Sequence, residues 1–514
     1  MSLEVRPRRR SRIPQASTGF LAQVKEVVQR YSKRTSPAHK RLVLLLLILG
    51  TLLRTYMLLQ PITYDEARAY ELAIGRSFLA IISDLNDPLD HVLHSVLARI
   101  SAAILGIGTI QVRLPAFLAS ILAMPLYYLF VRAMFNRYIA LMALALVAAS
   151  APLIEFSALA HGHAIVWFFF ILALVLGRHF LQENDRTTAT LLGCSLALAM
   201  WTMPSAIYPA LTVYIWLLLY IHLRYEGSVR KRLGTLFFSM LVFAMATIAL
   251  YMPIILEQGM GQIWHHPSLP ERNWKAFTRD HQESVFSLWM AIADTTGGVL
   301  ALLGSVAVIV TSFISSKFRV LVFAMLLGSV PLVLSKAYVP PAPDWFFTLF
   351  ILHIGSAVAL FYLLKFIQEK MLKELGKRTR TTVSAIALFA LFTILGMPVI
   401  QERITRFPEA ALAAEFLGEA IDMEGHVVAA PPWDAPVRFH AHRNGLTRDH
   451  FSGTPDDGDE IYVIVGAGDG GKLEVDLLSN RVGRGWAEQV ALVKDWPRLE
   501  IFAARYRDKP PVTE

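Results

Sequence analysis

This chain of 514 residues has little charge and almost no cysteine. Its single cysteine, Cys194, excludes an intrachain disulfide, so cysteine usage indicates no redox compartment. Charged residues make up only 17% of the chain, whereas soluble domains average about 25%. Hydrophobic residues make up 55%. This balance excludes an ordinary soluble domain and indicates a protein that lies largely in a membrane.

Long apolar runs account for the hydrophobic excess. Runs of about 18–22 residues recur along the first four-fifths of the chain, and each is long enough as a helix to cross the roughly 30 Å hydrocarbon core of a bilayer. The sequence therefore predicts an all-α polytopic membrane protein with about eleven spans. The predicted spans are 42–59, 113–131, 138–155, 163–180, 187–203, 205–223, 234–255, 297–314, 319–335, 345–364 and 381–398.

Basic residues are concentrated before the first span, where eleven Lys and Arg face only Glu4 and Glu26. Such a tail can suggest nucleic acid, but beside a membrane span it is better interpreted as a cytoplasmic anchor on anionic lipid. The basic loops between later spans fall on the same side. The positive-inside rule and an odd number of spans then predict a cytoplasmic N-terminus and an exterior (periplasmic) C-terminus in an inner (plasma) membrane.

These patterns divide the chain into three parts. They are a basic cytoplasmic tail (1–41), a membrane domain (42–398) with exterior loops at 60–112 and 256–296, and an exterior soluble α/β domain (399–514). The last part is polar and rich in turn residues. It is predicted to contain one helix and four short strands, at Ala410–Ile421, Val427–Ala430, Ile461–Val465, Val490–Val493 and Leu499–Ala503.

The first exterior loop contains an amphipathic helix near residues 88–106. Asp87-Pro88 is typical of a helix start, and apolar residues then recur at helical spacing. The opposite face carries His91, His94 and Ser101. We expect a helix that lies in the membrane interface with its polar stripe towards water. A true span remains the alternative.

Two adjacent carboxylates, Asp65 and Glu66, follow the first span directly. A charge at the bilayer centre costs roughly 2.5–3.5 kcal/mol on insertion scales, so this pair is expected at the exterior water interface. There a carboxylate can take a proton from an acceptor while basic groups hold the phosphate of a lipid-borne donor. That chemistry is glycosyl transfer from a polyprenyl-phosphate sugar.

Four motifs in order resemble the GT-C membrane glycosyltransferases. The motifs are Asp65-Glu66-Ala67-Arg68-Ala69-Tyr70, Asp84-Leu85-Asn86-Asp87-Pro88-Leu89-Asp90-His91, Arg113-Leu114-Pro115-Ala116, and Phe156-Ser157 through Ala160-His161-Gly162-His163-Ala164. They are most similar to the branch that contains protein O-mannosyltransferases and lipid A aminoarabinose transferases (glycosyltransferase family 39). The motifs cover about residues 42–180, and beyond them only the pattern of spans and exterior segments matches.

The resemblance implies an inverting displacement on a polyprenyl-phosphate sugar, with Asp65 as the catalytic base and Glu66 as a structural or substrate-orienting residue. The donor is a hexosyl or pentosyl carrier, and the acceptor is a glycan, a lipid or a protein. The candidate substrate-binding residues are Arg68, Tyr70, Asp84, Asp87, His91, Arg113, His161, Glu257 and Lys336.

Two departures from the family pattern concern the donor phosphate. Asp87 stands where the aminoarabinose transferases have a lysine, which counts against an aminoarabinose transferase. His161 stands where the family has an arginine, which keeps a possible cation, but one that titrates near neutrality. No cofactor is firmly implied. A divalent metal is an open alternative, with candidate ligands Asp87, His91, His94 and His265.

Two other classes of function compete with the enzyme. One is a transporter or flippase of lipid-linked saccharide, and the other is a non-catalytic membrane assembly subunit. Transporters place ionisable residues near the membrane midplane and show internal repeats. Here the charges lie mainly in the exterior segments, and the two halves show no repeat. The sequence therefore favours the enzyme.

Overall fold

The computed structural model of the chain is mainly helical, with one small sheet near the C-terminus. The structure describes residues 35–85, 91–224, 228–261, 273–296, 298–370, 377–403, 405–421, 425–441, 444–452, 455–468 and 486–507. The first helix shows how local sequence sets an element. Ser36 accepts a hydrogen bond from the His39 amide as the N-cap, and Pro37 occupies the first turn.

The helices of the N-terminal half include the short helices of the segment 60–112. They are α1 (Pro37–Leu58), α2 (Tyr64–Ala69, continued by a π-helical turn Tyr70–Ile74), α3 (Phe78–Ser83), α4 (Val92–Leu105), α5 (Thr109–Met134), α6 (Arg137–Ala149), α7 (Ala151–Glu155), α8 (His163–Glu183) and α9 (Arg186–Thr202). Further helices follow along the chain. They are α10 (Ile207–Arg224, after a 3₁₀ turn Pro204–Ala206), α11 (Val229–Gln258), α12 (Trp274–Thr296), α13 (Gly298–Ile314), α14 (Ser316–Lys336), α15 (Phe347–Lys370, after a 3₁₀ turn Ala342–Trp345) and α16 (Lys377–Arg403).

Every predicted span coincides with helix. Among the residues that the structure describes, eight helices are long and apolar enough to cross a membrane: α1, α5, α8, α10, α11, α14, α15 and α16. The predicted spans 138–155, 187–203 and 297–314 correspond to the shorter helices α6 with α7, α9 and α13. The prediction of an all-helical polytopic membrane protein is confirmed.

The outer surface of the helical part is apolar. Only 11% of the hydrophobic window of α11 and 22% of that of α16 are buried inside the protein. Large side chains such as Phe237 (68% exposed), Met245 (63%) and Phe313 (78%) project from the helices without protein cover. Soluble monomers rarely expose contiguous apolar surface on this scale, so these faces suit contact with lipid.

A buried arginine joins the C-terminal end of α1 to α6. Arg54 is 2% exposed, and its guanidinium donates to the carbonyls of Gly50 (3.0 Å), Ala148 (3.1 Å) and Val147 (3.3 Å). The last two carbonyls belong to the final turn of α6, where a helix leaves its carbonyls without internal partners and carries partial negative charge. The Arg54 guanidinium donates hydrogen bonds to these carbonyls, and its positive charge offsets their partial negative charge.

The close packing of α1 on α6 depends on a glycine. A Cβ atom at Gly50 would lie 2.9 Å from the Cβ of Ala148 and 3.0 Å from the Sδ of Met124. We expect Gly50→Ala to lower the free energy of unfolding by about 1–3 kcal/mol, as overpacking does. Thermal unfolding in detergent measures this loss.

Gly234 in α11 provides the matched control, because a Cβ there meets nothing within 4 Å. Gly234→Ala adds the same helix propensity, worth up to about 1 kcal/mol, without a clash. A melting temperature that rises or stays level in Gly234→Ala and falls in Gly50→Ala supports the close approach of α1 and α6. Equal shifts in the two variants would contradict it.

The C-terminal part is a small α/β unit. Helix α17 (Glu409–Ala420) precedes β1 (His426–Ala429), α18 (Asp434–Ala441), α19 (Asp449–Ser452), β2 (Glu460–Gly466), β3 (Trp486–Trp496) and β4 (Leu499–Arg507). The strand order is β1-β2-β4-β3, with β1 parallel to β2 and the other pairs antiparallel. The register sets Val428 opposite Val463, and Val463 opposite Phe502. All four predicted strands and the predicted helix are present, whereas α18 and α19 are not in the sequence prediction.

Helix α4 is oriented differently from the sequence expectation. Its polar residues His94 (1% exposed) and Ser101 (9%) are buried, as is the N-cap residue His91 (4%), whereas Ile100 (40%) and Ile104 (75%) are exposed. The expectation of a polar stripe towards water is therefore wrong, because that face packs into the protein. With 14 residues the helix is only about 21 Å long, shorter than the roughly 30 Å core, which favours the interfacial placement.

Candidate active site

The two adjacent carboxylates lie in opposite environments. Helix α2 begins with a capping box, in which the Thr63 hydroxyl accepts from the Glu66 amide and the Glu66 carboxylate accepts from the Thr63 amide (3.0 Å). This local motif turns Glu66 inward, where it is 0% exposed, and leaves Asp65 exposed. Since α2 starts five residues after α1 ends at Leu58, Asp65 lies just beyond the first span.

Glu66 is bound on both carboxylate oxygens. Arg113 donates from Nε to Oε1 and from Nη2 to Oε2, both at 2.6 Å. The Ala160 amide donates to Oε1 (2.8 Å) and the Thr63 hydroxyl to Oε2 (2.9 Å). Burial alone would raise the pKa of Glu66, but the charge and hydrogen bonds of Arg113 and the two backbone donors lower it below its ordinary value. Glu66 is therefore ionised and has a structural position.

Arg113 uses its remaining donors on backbone carbonyls. It is 1% exposed, and its Nη atoms donate to the carbonyls of Leu58 (3.1 Å), Gln60 and Pro61 (3.0 Å). The pair thus ties the end of α1, helix α2, helix α5 and the segment before α8 together. The structure places Arg113 in the protein interior and not at a substrate surface.

Three histidines meet next to this pair. The ring centroids of His91, His161 and His163 are 5.4–6.1 Å apart. The Gly162 amide donates to His91 Nδ1 (3.0 Å), so a neutral His91 carries its proton on Nε2. His163 Nε2 lies 3.4 Å from a carboxylate oxygen of Asp344, which precedes α15. The cluster therefore links the segment between α1 and α5 to the connection between α14 and α15.

Two of these histidines, His91 and His161, are buried rings with lowered pKa values. Burial and the neighbouring His163 lower the pKa of His161 to about 4, and burial together with the other histidines lowers the pKa of His91 well below its ordinary value. The expectation of a His161 cation that titrates near neutrality is therefore wrong for this geometry, because the ring is desolvated among other imidazoles.

The structure gives no support for a metal at this place. Among the described residues, no group of three or more His, Cys, Asp or Glu is arranged to hold a metal ion. The candidate ligands His91 and His94 are buried side chains of the α4 start. Asp87 and His265 lie outside the described residues.

The other candidate residues are spread over several helix ends. Arg68 is exposed on α2, three positions after Asp65. Asp84 pairs with Arg76 (2.6 Å) and accepts from Gln258 (2.6 Å), so it ties α3 to the end of α11. Two further candidates mark helix ends: Glu257 is exposed in the last turn of α11, and Lys336 is half-buried at the end of α14.

Helix α18 of the C-terminal unit also contributes to this region, which the sequence prediction missed. Phe439 packs edge-to-face on the candidate residue Tyr70, with ring centroids 5.0 Å apart. Arg438 pairs with Glu71 (3.2 Å). In the sequence, the apolar residues Ala435 and Phe439 lie one helical turn apart, which indicates a helix with one apolar face. In the structure both residues are 2% exposed.

Comparison with known proteins points to one class of enzyme. Residues 90–252 match the model of the family described as dolichyl-phosphate-mannose-protein mannosyltransferase. A search of curated proteins finds no match to this chain.

Among solved structures, the fold is similar to ArnT from Cupriavidus metallidurans in the apo state, with a TM-score of 0.58 and 13% sequence identity over 91% of this chain and 98% of ArnT. The structure of ArnT from the same organism bound to undecaprenyl phosphate matches with a TM-score of 0.50 and 12% identity, over 90% of this chain and 97% of that one.

These matches confirm the resemblance that the motifs indicated. The chain has a GT-C fold like that of ArnT, and residues 90–252 match the protein mannosyltransferase family. The family model begins at residue 90, so it covers Arg113 and the histidine segment but not Asp65. The family match and the shared fold together support a membrane glycosyltransferase.

Proposed function

We propose that this chain is a membrane glycosyltransferase that moves a sugar from a polyprenyl-phosphate carrier to an acceptor at the exterior face of the membrane. The observation that carries the proposal is the position of Asp65. It is an exposed carboxylate on a capped helix directly beyond the first span, and the buried pair of Glu66 and Arg113 fixes that helix. Such a rigid support is what a positioned general base requires.

The proposed reaction is a single displacement. Asp65 takes the proton from the acceptor nucleophile while that atom attacks the anomeric carbon of the donor sugar. The bond from the anomeric carbon to the phosphate oxygen breaks, and polyprenyl phosphate leaves with the electron pair. Attack from the face opposite the leaving group inverts the anomeric configuration. General base catalysis of this kind contributes about 10²–10⁴-fold to the rate.

Arg68 is our candidate for the donor phosphate. It is exposed and lies three positions after Asp65, so both side chains project from neighbouring positions on α2. A fixed guanidinium suits a phosphate oxygen geometrically and electrostatically. Lys336, half-buried at the end of α14, is the second candidate. The pKa values of His91 and His161 are lowered, so we assign the leaving phosphate to Arg68 and Lys336.

The packing of the C-terminal unit supports the proposed orientation. The Phe407 amide donates to the Ile62 carbonyl (3.1 Å), so the C-terminal unit lies on the same side of the membrane as the outer end of α1. The basic residues before α1 lie at its other end. The positive-inside rule makes that end cytoplasmic, and it makes Asp65 and the domain 399–514 exterior, in an inner membrane.

The test is sugar transfer by the purified full-length chain in lipid vesicles. Undecaprenyl-phosphate sugars, presented with glycan, lipid A and peptide acceptors, are expected to yield free undecaprenyl phosphate and a product of inverted anomeric configuration, seen by NMR. A flippase would move the intact donor across the bilayer without releasing the carrier. Donor movement without carrier release would overturn the proposal, and so would the absence of both with every donor and acceptor pair.

A further inference from the structure

Helix α18 of the C-terminal unit packs on the helical segment that carries Asp65. Phe439 contacts Tyr70 edge-to-face, with ring centroids 5.0 Å apart. These two rings belong to one buried cluster with Ala67, Ile74 and Ala435, each at most 2% exposed. The contact is therefore a packed interface between two parts of the chain that are more than 350 residues apart.

Charged side chains border this apolar contact. Arg438 Nη2 lies 3.2 Å from a carboxylate oxygen of Glu71 and 2.7 Å from one of Asp434. Arg438 is 28% exposed and Glu71 is 35% exposed. Ion pairs at this exposure add little to the stability of the fold, and what they add depends strongly on the geometry of the two side chains. We therefore infer that the apolar contact holds α18 against the Asp65 segment, and that the ion pairs set the orientation of the two elements.

A second contact holds the start of the same segment. The Phe407 amide donates to the Ile62 carbonyl (3.1 Å). Tyr64 packs against the apolar core of the C-terminal unit, in which Phe407 and Trp433 stack edge-to-face at 4.9 Å. Asp65 lies between the two contacts and remains exposed. The C-terminal unit thus clamps residues 62–71 on both sides of the proposed base.

We propose that α18 is a positioning element for the reaction, with Arg438 as the positioning residue that orients the Asp65 helix through Glu71. This inference rests on the proposed function. Arg438 does not touch the reacting atoms in this assignment. It restrains the helix that presents the base, and a misplacement of about 1 Å at a catalytic group can cost as much as 10²-fold in rate.

The geometric part is tested without any activity measurement. In hydrogen–deuterium exchange of the full-length protein, Arg438→Ala is expected to increase exchange in the peptide that covers residues 62–74 and to leave α8 unchanged. Arg505, which is exposed on β4, provides the control through Arg505→Ala. Equal protection of residues 62–74 in all three proteins would show that Arg438 does not restrain this segment, and it would overturn the positioning role of Arg438, whatever the enzyme does.

The catalytic part is tested by steady-state kinetics. Arg438→Ala is expected to lower kcat about tenfold and to change the donor KM less than about twofold, because positioning and not binding is lost. Arg438→Lys should recover part of the rate. The double variant Glu71→Arg/Arg438→Glu should recover it too. The cation at position 71 then faces two carboxylates on α18, at positions 434 and 438.

The outcomes separate the two proposals. A wild-type protein that transfers no sugar refutes the proposed function. The exchange experiment still determines whether Arg438 restrains residues 62–74. An active wild-type protein with an unchanged kcat in Arg438→Ala refutes the positioning role alone. A loss in Arg438→Ala that neither Arg438→Lys nor the charge exchange restores also contradicts it.

Discussion

Asp65→Asn is expected to abolish sugar transfer, with kcat reduced by at least about 10²-fold, because an amide cannot accept the acceptor proton. The side chain is exposed, and the amide has nearly the same size and shape, so we expect the variant to fold. The donor KM should change little, since the loss concerns the transition state. Radiolabelled sugar transfer in vesicles measures the effect, and size-exclusion chromatography checks the fold.

Two control variants make this result specific. Asp65→Glu keeps a carboxylate one methylene further out and should retain partial activity. Glu415→Gln removes an exposed carboxylate from α17 and should leave transfer unchanged. Full activity in Asp65→Asn would contradict a general base at this position. A transporter or an assembly subunit would tolerate the change, so the same variant also discriminates between the classes of function.

The helical architecture could be predicted from the sequence because each apolar run determines its own secondary structure. A run that crosses the bilayer has to form its backbone hydrogen bonds within the protein, and a helix forms them within its own segment. The strands of the C-terminal unit were also recognisable, since β-branched runs such as Val427–Ala430 and Ile461–Val465 are bounded by turn residues. These signals are local, and so the predictions hold.

The separate environments of Asp65 and Glu66 were only partly visible in the sequence. Thr63 and Glu66 have the spacing of a capping box, which indicates that Glu66 turns back to the helix start. The partner of Glu66 is 47 residues away on α5. No local pattern identifies such a pair, because it depends on how α5 packs against the end of α1. The inference from the family, which left Glu66 either structural or orienting, could not be resolved without the structure.

Helix α4 shows why periodicity does not fix orientation. The alternation of faces predicted an amphipathic helix correctly, but a pattern does not state which medium covers each face. Beside lipid the apolar face is outside and polar side chains turn to the protein interior. His94 and Ser101 follow this rule, and Ile104 is exposed. The short helix α18 was not predicted for another reason. Its eight residues include a proline and form little more than two turns, which is too short for a clear helical periodicity.

Glu66→Gln should have the largest effect on stability, because it leaves the Arg113 cation buried without its counter-charge. Removing one member of a buried ion pair typically costs about 3–5 kcal/mol. The glutamine amide has a single acceptor oxygen, so it can replace Oε1, which accepts from Ala160, or Oε2, which accepts from Thr63, but not both. The loss therefore combines the charge with part of the hydrogen bonding. Asp84→Asn is the matched control. It makes the same chemical change in the half-exposed pair with Arg76, where we expect a loss of at most about 1 kcal/mol.

The pH dependence of this difference follows from the lowered pKa of Glu66. A carboxylate whose pKa is lower in the folded than in the unfolded state stabilises the fold fully above the unfolded value of about 4.3, and this contribution is lost as the pH falls through the folded pKa. The gap in melting temperature between the wild type and Glu66→Gln should therefore be largest near pH 7 and should narrow below about pH 4. A gap that stays constant from pH 7 to well below pH 4 would show that the charge of Glu66 does not stabilise the fold, and the central tie of α1, α2 and α5 would then rest on its hydrogen bonds alone.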